Sequence, residues 1–384
     1  MLMNTYAPYN YRFIKGEGTY LYDDTGKRYI DFGCGISVSN LGHGNPHLLN
    51  CLKGQADKLW HTSNLFPNKI VEDLAERISK ASFGGKVFFC NSGAEANEGA
   101  IKLARIYNNK VHAGAKPRII TMNDGFHGRT YTTLSATAQK KVQSGFEPIA
   151  PFFTYAPYND IATVESELSK GDVCAVMLEL YQGESGVLPA NIEYVKKLRE
   201  LADKYKALLI FDEVQTGFGR TGKLFAYEHF GVTPDIMTMA KAIANGLPMG
   251  AFAAKPEIAD LFTPGTHGST FGGNLLACAV AHGVLDIMLA DGFLNSVTEK
   301  GLAFQLMLKK RLEILEASVR GKGLMVGVEL PILNKDFIRK ALDEGLVLIA
   351  GGEKSVRFYP PLTATMDELE QGANIAEKVM RSFL

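Results

Sequence analysis

Cysteine is scarce and scattered: Cys34, Cys51, Cys90, Cys174 and Cys278 are the whole set, and no CxxC pair occurs. An odd, dispersed set of thiols argues against a disulfide framework or a cysteine-ligated zinc site and fits a reduced, cytosolic setting. An excess of one charge is also lacking. Lys plus Arg and Asp plus Glu both number 41, so the formal net charge is zero. Nothing there marks a nucleic-acid or membrane-surface partner. No apolar run approaches the roughly 18 to 20 residues of a membrane-spanning helix. Met1-Leu2-Met3-Asn4-Thr5-Tyr6-Ala7-Pro8 shows neither a basic stretch leading into an apolar one nor an Arg-rich pattern. The expectation is a soluble, unprocessed, cytoplasmic chain.

Several familiar catalytic patterns are missing as well. There is no HExxH and no GxSxG, and the eight histidines show no metal-ligand spacing. Catalysis is therefore expected without a metal. Gly217-Phe218-Gly219-Arg220-Thr221-Gly222-Lys223 starts like a P-loop, but Leu224 stands where magnesium needs a hydroxyl. Gly33-Cys34-Gly35-Ile36-Ser37-Val38 lacks the third glycine of a dinucleotide fingerprint.

What is present is ordinary globular composition, 46% hydrophobic and 21% charged, over 384 residues, enough for a large domain with a smaller companion. Apolar runs at Lys86 to Cys90, Arg118 to Met122, Val173 to Leu180, Ala207 to Phe211 and Ile236 to Met239 alternate with helical patterns such as Ile192 to Tyr205. Such alternation predicts an α/β fold with a mostly parallel sheet covered on both faces. Ligands in such sheets gather beyond the carboxyl ends of the strands. The polar clusters fall there: Asn91-Ser92-Gly93, Asp124 to Arg129, Glu179 to Glu184, Asp212 to Gln215, and Lys241. Flanking it, Gly16 to Phe32 reads as hairpin material turning at Asp23-Asp24-Thr25-Gly26. Leu275 to Leu315 is mostly helical, and short runs near Gly327, Leu346 and Val356 precede a closing helix from Met366. These flanks predict one smaller α+β domain, with residues 1–50 and 284–384 contributing to it and 51–283 forming the large domain.

Lys241 ends an apolar run among small residues, where lost hydration favours a neutral, nucleophilic amine. That is what a lysine needs to form a Schiff base. Taken alone, a lysine just past a strand is most often a solvated surface residue. Asp212 ends a second such run, and pyridoxal phosphate needs both a lysine for its aldehyde and a carboxylate for its ring nitrogen. Asn91-Ser92-Gly93-Ala94-Glu95-Ala96-Asn97 opens a helix, where free N–H groups and the helix dipole favour a phosphate; the plain alternative is an N-cap turn. In Phe126-His127-Gly128-Arg129 the aromatic can stack on a planar ring and the arginine can grip a carboxylate, or be a surface charge. Thr266-His267-Gly268-Ser269-Thr270-Phe271-Gly272-Gly273-Asn274 is glycine-rich enough for close backbone approach, or an ordinary long loop. Spacing alone does not pair Glu184 with Arg357.

At these residues the chain resembles the class III (ω-amino) aminotransferases of the fold-type I pyridoxal-phosphate enzymes. Asp212-Glu213-Val214-Gln215-Thr216-Gly217-Phe218-Gly219-Arg220-Thr221-Gly222 followed by Lys241 carries the likeness, which extends from Gly16-Glu17-Gly18 to Arg357-Phe358-Tyr359-Pro360-Pro361-Leu362. Leu41-Gly42-His43-Gly44 and His61-Thr62-Ser63-Asn64-Leu65-Phe66 support it, and the pattern is most similar to members acting on N-acetylornithine. The resemblance implies a cytoplasmic homodimer that moves a terminal amino group between N2-acetyl-L-ornithine and 2-oxoglutarate, a step of arginine biosynthesis. Relatives acting on succinyldiaminopimelate, ornithine or 4-aminobutyrate, and a catalytically silent pyridoxal-binding regulator, are the alternatives. It also implies roles: Lys241 as the Schiff-base lysine, Asp212 as the partner of the ring nitrogen, Val214 and Phe126 on the two ring faces, Gln215 near the ring hydroxyl. Ser92, Gly93 and Ala94 would bind phosphate, joined by Thr270 of the neighbouring subunit. Arg129, with Ser269 nearby, would hold the substrate's far carboxylate, and Glu184 would pair with Arg357. The chain departs from the family at Leu180, usually proline, and Tyr181, usually a smaller aliphatic residue; both bear on the expected shape of the substrate pocket.

Overall fold

The computed structural model describes residues 2–312 and 316–383. Its centre is a seven-stranded sheet, in the order Lys86–Cys90, Gly250–Ala254, Ile236–Met239, Leu208–Asp212, Val173–Leu178, Arg118–Met122 and Phe153–Ala156. Every residue of Val173–Leu178, Leu208–Asp212 and Ile236–Met239 is buried, as expected for strands covered on both faces. Alternate side chains sort into two cores. Ala175, Met177, Leu208 and Ile210 join the face under the helix Gly93–Val111, and Val176, Leu178, Leu209 and Phe211 join the other.

One strand runs against the rest. Gly250–Ala254 is antiparallel to both of its neighbours, Ile236–Met239 and Lys86–Cys90. The connection from Met239 is too short for the crossover of a dozen or more residues that a parallel return requires. The chain therefore reverses through the short 3-10 turn Lys241–Ala244 and pairs back.

The strands Phe13–Glu17, Tyr20–Asp23 and Arg28–Asp31 form a meander turning at Asp23 to Gly26, and Leu346–Val347 adds to it in parallel. Sequence-distant ends thus share one sheet. A second sheet has the order Ser318–Lys322, Met325–Glu329, Ser355–Phe358 and Ile349–Gly351, so Arg357 sits on an interior strand. The helices Phe293–Leu312 and Met366–Arg381 pack beside it; the end of the expected helical stretch, at Leu315, lies outside the described residues. Neither boundary at 50/51 nor that at 283/284 falls in a linker, since Pro46–Ala56 and Leu275–Met288 run through them as continuous helices. The P-loop-like segment wraps a buried arginine: Arg220 donates to Ser37 Oγ at 3.0 Å and to the carbonyls of Leu324 at 3.0 Å and Pro360 at 2.7 Å. Its glycines serve a structural tie between the central sheet and the C-terminal segment. No single helix among the described residues is long and apolar enough to cross a membrane.

Candidate active site

Parallel pairing of Leu208–Asp212 with Ile236–Met239 sets Asp212 opposite Thr238, so Asp212 and Lys241 emerge at the same edge of the sheet. Strand alternation then separates the two acids of Asp212-Glu213. Asp212 faces a cavity of about 420 Å³, while Glu213 turns behind it and accepts from Thr216 Oγ1 (2.5 Å) and the N–H groups of Ala226 (2.9 Å) and Tyr227 (2.7 Å).

The Asp212 carboxylate is 4% exposed and held by three donors. Oδ2 receives Asn97 Nδ2 and His127 Nδ1, each at 2.8 Å, and Oδ1 receives the Val214 N–H at 3.0 Å. Asn97 also donates to the His127 carbonyl at 2.7 Å, fixing the loop that carries the imidazole. Burial lowers the proton affinity of His127, but the adjacent Asp212 carboxylate outweighs it and the net shift is upward. Glu179 lies behind Phe126, accepting its N–H at 3.0 Å; burial, opposed by His127, pushes its carboxyl up to about 7.

Lys241 opens onto the same cavity from a left-handed backbone, φ 46°, an uncommon and costly conformation for a side chain of this size. Burial pushes its amine below the ordinary lysine value, against the pull of Glu184 and Asp212. A neutral amine is thereby favoured.

The amino terminus of Gly93–Val111 points in as well. Ser92 caps it, accepting the Glu95 N–H at 3.2 Å, and the Glu95 carboxylate receives Ser92 Oγ (3.0 Å) and the Asn91 N–H (2.9 Å). The first-turn N–H groups of Gly93 and Ala94 are ones that a helix cannot satisfy itself. A Cβ at Gly93 would stand 2.7 Å from Val214 Cγ1, so only glycine lets this turn approach that side chain. Gln215 accepts from the Tyr359 hydroxyl at 2.7 Å, and the Arg129 guanidinium lies 5.7 Å from the Phe126 ring centre.

Of the residues singled out in the sequence, Ser92, Gly93, Ala94, Phe126, Arg129, Glu184, Asp212, Val214, Gln215 and Lys241 line this one cavity. Arg357 lies behind Glu184, its Nη1 2.9 Å from Glu184 Oε1. Ser269 and Thr270 line a neighbouring groove with His61, Asn64 and Leu65, although Asn91 Nδ2 reaches Ser269 Oγ at 3.1 Å. Leu180 and Tyr181 do not line the cavity. Leu180 is fully buried in the core, and the Tyr181 ring packs 6.0 Å from that of Phe230. These two departures from the family pattern lie in the core beside the cavity rather than on its wall.

Nothing local in the sequence marks Asn97, Glu179 or Tyr359 for a role, and His127 stands out there only as part of a motif. Asn97 did leave a signal. It falls among the sheet-facing positions Ala96, Ala100, Ile101, Leu103 and Ala104 of its helix, where a buried amide demands partners.

The model of the family described as "Aminotransferase class-III" matches residues 3–380. The acetylornithine aminotransferase of Caldanaerobacter subterraneus subsp. tengcongensis is 48% identical over 383 residues, 99% of this chain and 97% of that protein. Among solved structures, the acetylornithine aminotransferase from Elizabethkingia anophelis superposes with a TM-score of 0.90 at 37% identity, covering 99% of this chain and 96% of that one. The ornithine aminotransferase from Toxoplasma gondii, described as having partial occupancy of PLP at its active site, gives a TM-score of 0.94 at 32% identity, covering 99% and 92%. The lysine and the buried aspartate at adjacent strand ends sit in a chain matched along its whole length, and this chain belongs to the class-III aminotransferases.

Proposed function

We propose that the protein transfers the terminal amino group between N2-acetyl-L-ornithine and 2-oxoglutarate, giving N-acetyl-L-glutamate 5-semialdehyde and L-glutamate, as a cytoplasmic homodimer serving arginine biosynthesis. The observation that carries this reading is the convergence of Lys241, Asp212, a helix amino terminus, Arg129 and the Glu184–Arg357 pair on one cavity.

The residues present fit pyridoxal 5'-phosphate. Gly93 keeps a cradle open at the helix terminus that a Cβ would close, and Asp212 offers a desolvated carboxylate opposite a desolvated amine. The chemistry that this cofactor supplies is an aldehyde to carry the amino group and a protonated ring to take up negative charge. Ser92 with the N–H groups of Gly93 and Ala94 would hold its phosphate, Asp212 its ring N–H, Val214 and Phe126 its two faces, and Gln215 would sit near its hydroxyl. Lys241 would hold the aldehyde carbon.

Lys241 is the one lysine lining the cavity among the described residues. Its neutral amine would move a proton between the substrate's reacting carbon and the cofactor. Asp212, fixed by three donors, keeps a negative charge in place without reorganisation. Arg129 binds the carboxylate far from the reacting amine. Glu184 masks Arg357 while acetylornithine reacts, and gives it up to the second carboxylate of glutamate. A second copy of the chain would bring Thr270 to the phosphate, and the exposed Trp60, Leu65, Phe66 and Phe271 around that loop offer the apolar surface for it.

The test is to compare kcat/KM for acetylornithine, succinyldiaminopimelate, ornithine and 4-aminobutyrate on purified, cofactor-loaded protein. Acetylornithine is expected to lead; a different leader overturns the assignment. For the shared site, Lys241→Ala protein is mixed with inactive Thr270→Trp protein. Verified hybrid dimers are expected to regain up to one working site, and hybrids with none overturn the sharing.

A further inference from the structure

A second cavity, of about 430 Å³, lies against the first, and Glu184 lines both. The backbone around Glu184 is pinned: the Gly352 N–H donates to its carbonyl at 2.7 Å, and Ser185 Oγ donates to the Asp124 carbonyl at 2.9 Å. The side chain is held less. Oε1 meets Arg357, whereas Oε2 has no hydrogen-bond partner among the described residues. Glu184 is 33% exposed against 2% for Arg357, so the glutamate is the partner free to move. Arg357 is fixed by its strand, stands 5.7 Å from the Tyr359 ring centre, and keeps a buried Nε with no acceptor among the described residues.

When a substrate carboxylate takes Arg357, the displaced Glu184 carboxylate cannot stay beside it without like-charge repulsion in a low-dielectric space. The second cavity supplies somewhere to go. Lys140 and Lys141 line it, and among the described residues neither forms an ion pair or a side-chain hydrogen bond. With the Asp124 carboxylate the wall carries two positive charges and one negative, so an arriving carboxylate neutralises it.

We propose that Lys140 and Lys141 receive the Glu184 carboxylate when a substrate carboxylate occupies Arg357, and so act as positioning residues that set the balance between the glutamate and acetylornithine half-reactions. This rests on the switch reading above.

The test is Lys140→Gln/Lys141→Gln in the cofactor-loaded enzyme, alone and combined with Glu184→Gln, with each half-reaction followed by single turnover. The glutamate half-reaction is expected to slow about five- to twentyfold in the lysine variant while the acetylornithine half-reaction moves less than about twofold. In the Glu184→Gln background the lysine substitutions should have no further effect, because a neutral amide needs no cation. Calorimetry with glutarate, an unreactive dicarboxylate, reads the same linkage without turnover: its Kd should rise in the lysine variant and not in the combined one. Equal slowing of both half-reactions, or an undiminished lysine effect on the Glu184→Gln background, overturns the proposal; the latter means that the lysines attract the dicarboxylate directly. Failure of acetylornithine as a substrate would count against the functional reading alone, since the glutamate arm and the calorimetry still decide this one.

Discussion

The two ends of the active-site cavity hold a carboxylate in opposite ways. At one end Asp212 is almost fully buried and receives three hydrogen bonds from three different parts of the chain. At the other, Glu184 is one-third exposed and makes a single contact with Arg357. The first arrangement suits a charge that must stay in place through every step. The second suits the proposed exchange, in which the charge leaves for one substrate and returns for the other. Rigidity here is a property of individual carboxylates, set by the number of donors that reach each, rather than of the pocket as a whole.

The largest effect expected is at Lys241, between the two ends. Lys241→Ala should lower turnover by about 10⁴-fold or more, since the proposed nucleophile and base are lost together. Borohydride reduction of the loaded wild-type protein followed by peptide mapping should place the label on Lys241; a label elsewhere breaks the assignment. Next comes the movable end. Glu184→Ala leaves Arg357 permanently unmasked, and should slow the acetylornithine half-reaction at least about tenfold relative to the glutamate one. Equal effects on both would make Glu184 as static as Asp212 and dissolve the contrast.

The fixed end should respond more mildly to loss of one support. His127→Ala removes one of three donors to Asp212, a cost of about 1–3 kcal/mol, and cofactor affinity should fall about tenfold as measured by equilibrium dissociation. His127→Gln, which can still donate, should recover part of it. The smallest effect on catalysis concerns Glu213, turned away from the cavity, where the change is read in stability. Burial pushes its carboxyl up to about 7, above the unfolded value near 4.3. The folded state therefore binds the extra proton between those values, and this group's contribution to stability falls as pH rises from about 4.5 to 7. Glu213→Gln should flatten that part of the stability-versus-pH curve in denaturant melts while lowering stability throughout, because its amide N–H₂ must face a donor.

The strands most visible in the sequence are those with short, mostly apolar runs, and Lys86–Cys90, Arg118–Met122 and Ile236–Met239 form at the expected residues. Gly250–Ala254 left no such trace. Glycine and alanine have little intrinsic strand preference, and this segment is a strand because both its neighbours pair with it. The antiparallel direction was hidden for the same reason. In the site, the residues at strand ends were legible because chain polarity alone gathers them at one edge. The contacts of Asn97 and His127 with Asp212 span most of the large sheet in sequence, and no local pattern encodes such a distance. Tyr359 meets Gln215 only because the C-terminal strand Ser355–Phe358 packs close to the large sheet, 144 residues away in sequence.

The reversal of the chain just after Lys241 has a consequence for assembly. Met239 pairs with Ala251, so the lysine sits on a short loop closed by contacts local in sequence, and little loop entropy opposes its formation. The most demanding backbone position in the site is therefore among the cheapest to assemble. It should form early, with the sheet, and survive in cofactor-free protein, where slow amide exchange through Met239 and Ala251 would report it.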